Sequence, residues 1–136
     1  MSGFAFLSVA ICALVLPAFA SPVYEDATLE KRVTHDGQAT YYETGLGACG
    51  YTDTDSDAVV AISHLIYGSG GNCNQWMQIT NTATGISQYG KTRDECEGCA
   101  EYAIDLSPSL FKSLGVPLSQ GVQQVEWHFM NKDFSP

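Results

Sequence analysis

The residues of this 136-residue chain that could do chemistry are its cysteines and its scattered carboxylates. Cys96-Glu97-Gly98-Cys99 has the spacing of a zinc-ligand pair, but no second C-x-x-C and no H-x-x-x-H accompanies it. Oxidation is the better reading. Cys49, Cys73, Cys96 and Cys99 would form two disulfides, with three connectivities open. A Cys49–Cys73 bridge would close a long loop, worth on the order of 3 kcal/mol. A Cys96–Cys99 bridge would mainly shape a turn. Neither pairing leaves a thiol nucleophile. Asp53, Asp55 and Asp57 form an acidic ladder without the Gly and Glu of a calcium loop, so they read as a solvated turn. His35, His64 and His128 are scattered and suggest no triad. No metal and no cofactor is expected. Asp105 stands just before Ser107-Pro108, a helix start, where a carboxylate feels the positive end of the helix or caps it.

The elements that must position these residues are mostly strands. Gln38 to Tyr42 is rich in strand formers, and the three glycines of Gly45 to Gly50 then break it. Ala58 to Ser63 and Trp76 to Thr80 are apolar runs of strand length. A turn signal at Asn81 to Gly85 lets Ile86 to Thr92 pair back as a hairpin. Near the end Val125, Trp127 and Phe129 alternate with Gln124, Glu126 and His128, the pattern of a half-buried strand. One short helix is expected, from Ser107 as N-cap and Pro108 at the first helical position to Gly115. Leu110, Phe111 and Leu114 form its apolar face. Many short strands with one capped helix argue for a small all-β barrel.

Organisation and charge narrow the role. The apolar run Phe4 to Phe19 ends in Ala18-Phe19-Ala20, which predicts a signal peptide over 1–20. Lys31-Arg32 after an acidic stretch predicts a short pro-segment, 21–32, removed at a dibasic site. Residues 33–136 are then one secreted, extracellular domain, with no membrane attachment once the leader is gone. In it Lys91, Arg93, Lys112 and Lys132 are the only fixed cations, against three times as many carboxylates. That balance excludes nucleic acid and disfavours anionic membranes and anionic polysaccharides. Neutral glycans, cationic glycans or another protein remain, and a monomer is the default.

Five strings occur in a telling order: Gly37-x-Ala39-Thr40-Tyr41-Tyr42, Gly47-Ala48-Cys49-Gly50, Asp94-x-Cys96-x-Gly98-Cys99, Asp105-Leu106-Ser107-Pro108 and Val125-x-Trp127-x-Phe129. Together they resemble the double-psi β-barrel domain of rare-lipoprotein-A-like proteins, expansins and fungal loosenins, over essentially all of 33–130. The resemblance implies a six-stranded barrel with one or two short helices and a shallow open groove. It also suggests the pairing Cys49–Cys73 and Cys96–Cys99. Expansins proper carry a second, carbohydrate-binding β-sandwich after the barrel, and four cysteines cannot supply the further disulfides often found in expansins.

The resemblance also assigns site residues. Asp105 matches the groove aspartate that expansins require for wall loosening. Thr40 and Tyr42 match the polar and aromatic positions of the family's A-T-x-Y strand, and alternation puts both on one face with Tyr41 on the other. Asp94 matches a carboxylate that assists catalysis in lytic transglycosylase members, or else a partner for barrel backbone. Glycoside cleavage normally needs two carboxylates, about 6.5–9.5 Å apart for inversion. Glu43 falls within one position of the base of a hydrolase family on the same barrel, yet it reads better as a solvated residue entering the glycine-rich loop. The implied function is a secreted protein that binds and loosens cell-wall polysaccharide, of cellulose or chitin type, without hydrolysis. The alternative is a protein-binding module, such as a cysteine-protease inhibitor or effector, acting through the loop Tyr67 to Asn74. A hydrolase or lytic transglycosylase comes behind both.

Overall fold

The computed structural model describes residues 33–136; the expected leader over 1–20 and the expected pro-segment over 21–32, with Lys31-Arg32, lie outside the described residues. Six strands close into one barrel: β1 (His35–Tyr41), β2 (Val59–Ser63), β3 (Trp76–Asn81), β4 (Ser87–Cys96), β5 (Ile104–Leu106) and β6 (Gln123–Phe129). Around the barrel they run β1-β5-β2-β4-β3-β6. β1 with β5 and β2 with β4 are parallel, and the other four pairs are antiparallel. Two short helices, α1 (His64–Tyr67) and α2 (Pro108–Ser113), and a 3₁₀ turn at Leu118–Gln120 sit in the connections. The two disulfides are Cys49–Cys73 and Cys96–Cys99.

The expected strands are present with shifted bounds. β1 begins three residues before Gln38 because His35, Asp36 and Gly37 pair with Trp127, Glu126 and Val125 of β6. Gly37 also passes so close to Tyr102 that an added Cβ would lie 1.9 Å from its carbonyl oxygen. β4 extends beyond Thr92 to Cys96, since its C-terminal half pairs with β2 after its N-terminal half has paired with β3. The hairpin turn is held by Asn81, whose N–H donates to Ile86 O and whose buried amide donates to Leu114 O at 3.0 Å. In β6, Val125 and Trp127 are buried and Phe129 half-buried, as the alternation requires. β5 and α1 were not legible as elements.

The core fills the barrel with Val60, Ile62, Met77, Ile79, Ile104, Leu106 and Trp127, closed from one side by Leu110, Phe111 and Leu114 of the α2 segment. Gly90 makes that closure fit: a Cβ there would meet Leu110 Cδ2 at 2.5 Å and Val60 Cγ2 at 2.7 Å. Ser107 holds the N-cap position of α2, but its side chain makes no cap bond. Its hydroxyl instead accepts from Val59 N–H at 3.4 Å, so it joins the helix start to β2.

Candidate functional site

The site begins as a row of side chains across four neighbouring strands. Thr40 on β1 pairs with Asp105 on β5, Asp105 pairs with Ala61 on β2, and Ala61 pairs with Asp94 on β4. Paired positions share a face of a sheet, and successive residues alternate faces. Ala39, Ile104, Leu106, Val60 and Ile62 point into the core, so the row points out. Ala61, only 3% exposed, lies between the two carboxylates and forms a buried floor. Asp105 and Asp94 stand two strand spacings apart, about 9–10 Å at the backbone.

Asp94 reaches this row through an irregularity. Thr92 pairs with Val60 but Asp94 pairs with Ala61, so Arg93 is an extra residue on β4. A bulge of this kind re-aims the residue after it. Without it Arg93 would occupy the row and Asp94 would turn inward. The extra arginine clamps the surrounding loops. Its Nη1 donates to Asn74 Oδ1 at 2.6 Å, its guanidinium lies 4.1 Å over the Tyr51 ring, and its Nε is 3.5 Å from Asp53 Oδ2. That last contact is an ion pair without hydrogen-bond geometry.

Thr40 Oγ1 donates to Asp105 Oδ1 at 2.9 Å. Partial burial pushes the Asp105 carboxyl up, against the Thr40 hydrogen bond that pulls it down, and nearby Asp94 adds to the rise. The capping alternative for Asp105 is not what forms: its bond is to β1, not to α2. Tyr42 follows β1, with its N–H donating to Leu106 O at 3.0 Å. Desolvation, then the fields of Asp94, Asp105, Asp53 and Asp55, drive its phenol far above its ordinary range, so it stays a hydrogen-bond donor. Tyr41 faces away and packs on Phe111 with ring centroids 5.2 Å apart, so the expected division of the two tyrosines holds.

Asp94 is engaged by backbone. Its Oδ1 accepts from Ala48 N–H and from Glu95 N–H, each at 2.8 Å, which fastens the 44–52 loop to the row. Gly47 lets that loop approach: a Cβ there would lie 2.3 Å from Arg93 O. Glu43 is exposed, and no contact joining Thr40, Tyr42, Asp94 and Asp105 includes it. The acidic ladder is also structural. Asp55 Oδ1 accepts from the N–H and hydroxyl of Thr44, which hold its carboxyl below the usual range. Asp57 Oδ2 does the same for Thr54, and Asp53 meets Arg93. The loop Tyr67 to Asn74 is fixed by the Cys49–Cys73 bridge, by Lys132 Nζ on Gly71 O at 3.0 Å, and by Asn74 at φ 66°. Ala61 and Arg93 were missed from sequence. The signal for Arg93 was present, as the one arginine in 33–136, directly before Asp94.

Solved structures decide the fold. A mutant expansin from Clavibacter michiganensis, in complex with cellohexaose, superposes with TM-score 0.66 and 23% identity over 76% of this chain and 53% of its own. The chain is a double-psi β-barrel of the expansin-like fold. The Streptomyces papain inhibitor matches at TM-score 0.60 and 28% identity, covering 72% of this chain and 94% of the inhibitor. Cerato-platanin 3 of M. perniciosa shares the same fold at TM-score 0.55 and 15% identity, over 72% of this chain and 96% of that one. Among curated relatives, the Allergen Asp f 7 homolog of Arthroderma benhamiae is 30% identical over 110 residues, 69% of this chain and 38% of that protein. Ripening-related protein 7 of Oryza sativa subsp. japonica is 30% identical over 95 residues, 61% of this chain and 59% of that protein. The double-psi barrel thus spans between about two fifths and three fifths of the curated relatives it matches. No family model matches the chain.

Proposed function

We propose that this barrel is a secreted polysaccharide-binding module that grips a cell-wall glycan of cellulose or chitin type and loosens its packing without cutting it. The observation that carries the reading is the outward row Thr40–Asp105–Ala61–Asp94, with the Tyr42 phenol beside it. A tyrosine offers a ring face to a sugar and a hydroxyl to its oxygens. The paired Thr40 and Asp105 add a fixed polar contact, and small Ala61 leaves the middle of the row low. The expansin with the same barrel is complexed with cellohexaose, which supports a glucan-like ligand here. Non-hydrolytic action fits the carboxylates: Asp94 Oδ1 accepts from two backbone N–H groups, and Glu43 is exposed. The leader over 1–20, the pro-segment over 21–32 and the two disulfides fit an extracellular site of action.

The test is retention on insoluble cellulose and chitin, with assay of released sugar ends, for wild type and Asp105→Asn. Retention without release, weakened about tenfold or more by the substitution, is expected. Sugar release that disappears in Asp105→Asn would make the protein an enzyme.

A second reading has its own support. The papain inhibitor shares 28% identity over nearly its whole length, and the disulfide-fixed loop Tyr67 to Asn74 would serve as a rigid wedge. Inhibition of papain lost on substitution within 67–74, but kept in Asp105→Asn, would select it.

A further inference from the structure

The outer face of the barrel continues past the row. Two residues back along β2, Val59 pairs with Lys91, and Lys91 pairs with Trp76 on β3. Val59 and Ala61 share a face by alternation, while Val60 and Met77 point into the core, fully buried. This second row therefore borders the first on the same side. Over it lies a cleft of about 190 Å³ lined by Asp57, Ala58, Val59, Trp76, Lys91 and Arg93, with Asp53 at the arginine.

The cleft differs in chemistry from the acidic row. Its apolar part is the Trp76 indole with Ala58 and Val59, and its two cations are matched by two carboxylates. Lys91 Nζ rests 5.4 Å from the indole centroid, a cation–π contact on a flexible stem that can turn to a hydroxyl. An anionic ligand would meet Asp53 and Asp57, and an amine would meet Lys91 and Arg93. An aromatic plate with both donors and acceptors beside it suits an uncharged pyranose, which has an apolar C–H face and a rim of hydroxyls. From Asp94 to the Lys91–Trp76 row is three residues of β4, under about 10 Å of strand rise. A short oligosaccharide has the length for that span.

We propose that the Trp76 cleft is a second sugar subsite, taking a neutral pyranose unit of the chain that the Thr40–Asp105–Asp94 row holds. The proposal rests on the glycan reading of that row, and one experiment separates the two. The chain has two tryptophans, and Trp127 is 1% exposed with its indole N–H donating to Tyr102 O, so only Trp76 can report a ligand at this surface.

The purified protein is titrated with neutral β-1,4-linked oligosaccharides from the disaccharide to the hexasaccharide, followed by calorimetry and by tryptophan emission. Emission is expected to change with the longer ligands, whose affinity exceeds the shorter ones by roughly tenfold, the ratio that about 1.4 kcal/mol gives. Trp76→Ala should abolish the gain with length and keep the buried emission of Trp127, while Trp76→Phe restores most of it. If Trp76→Ala fails to fold, the wild-type emission change and loss of the length gain in Lys91→Gln decide the question. Calorimetric binding with silent emission, or a length gain that survives Trp76→Ala, overturns the subsite and leaves the row standing. No heat of binding at any length overturns the row and the subsite together.

Discussion

Strands β2, β4 and β5 have two faces built from alternating residues of the same short segments, and the faces obey opposite rules. Inward, Val60, Ile62, Ile104 and Leu106 meet Phe111 and exclude water. Outward, Ala61, Asp105 and Asp94 leave a low floor between two carboxylates. β5 is only three residues long, yet that suffices: two inward anchors hold one outward aspartate. The packed face thus supplies the rigidity that fixes the polar face, so substitutions should separate into those that unfold the barrel and those that only blunt the row.

The largest effect should come from the inner face. Phe111→Ala removes a fully buried ring and is expected to cost about 3–5 kcal/mol in denaturant unfolding. A smaller loss would mean that α2 is not part of the barrel's closure. Next is the outer scaffold: replacing Cys49 and Cys73 together by Ser frees a loop of sequence separation 24 and should cost roughly 3 kcal/mol. Loss of the Cys96–Cys99 bridge, with separation 3, should cost clearly less, and equal costs would break the distinction between them.

How much of this was legible follows the same division. Alternation in Val125 to Phe129 reveals the inner face of β6, because a half-buried strand needs an apolar residue at every second position. The run at 58–63, in contrast, is apolar on both faces because β2 is buried at every position. The outer row was legible only residue by residue, through Thr40, Tyr42, Asp94 and Asp105. Their juxtaposition depends on long-range pairing, and β5 is too short to announce itself by period. The bulge at Arg93 is invisible in sequence, since it arises from β4 pairing with two different strands along its length. Ala61 looked like one more apolar residue of a strand.

Titration gives a subtler separation. The folded Asp105 carboxyl is raised above its ordinary value of 3.8, so the folded state keeps a proton that the unfolded chain has already lost. Its contribution to stability therefore falls as pH rises from near 3.8 through the raised value. Asp105→Asn should remove this fall, so the variant's advantage in denaturation midpoint should grow across that window; a constant difference would place the carboxyl in free solvent. The smallest effect expected is at Thr92, whose buried hydroxyl has no hydrogen-bond partner among the described residues. Thr92→Val should stabilise by about 1 kcal/mol in thermal unfolding, and destabilisation would show the hydroxyl to be engaged.

The central claim is that Thr40 and Asp105 act as one unit on a bound glycan. A calorimetric double-mutant cycle with the neutral hexasaccharide, using Thr40→Val, Asp105→Asn and both together, tests it most directly. The account predicts that each single substitution weakens binding and that the double weakens it little more than Asp105→Asn alone. Fully additive losses, or binding unchanged in all three variants, would contradict it.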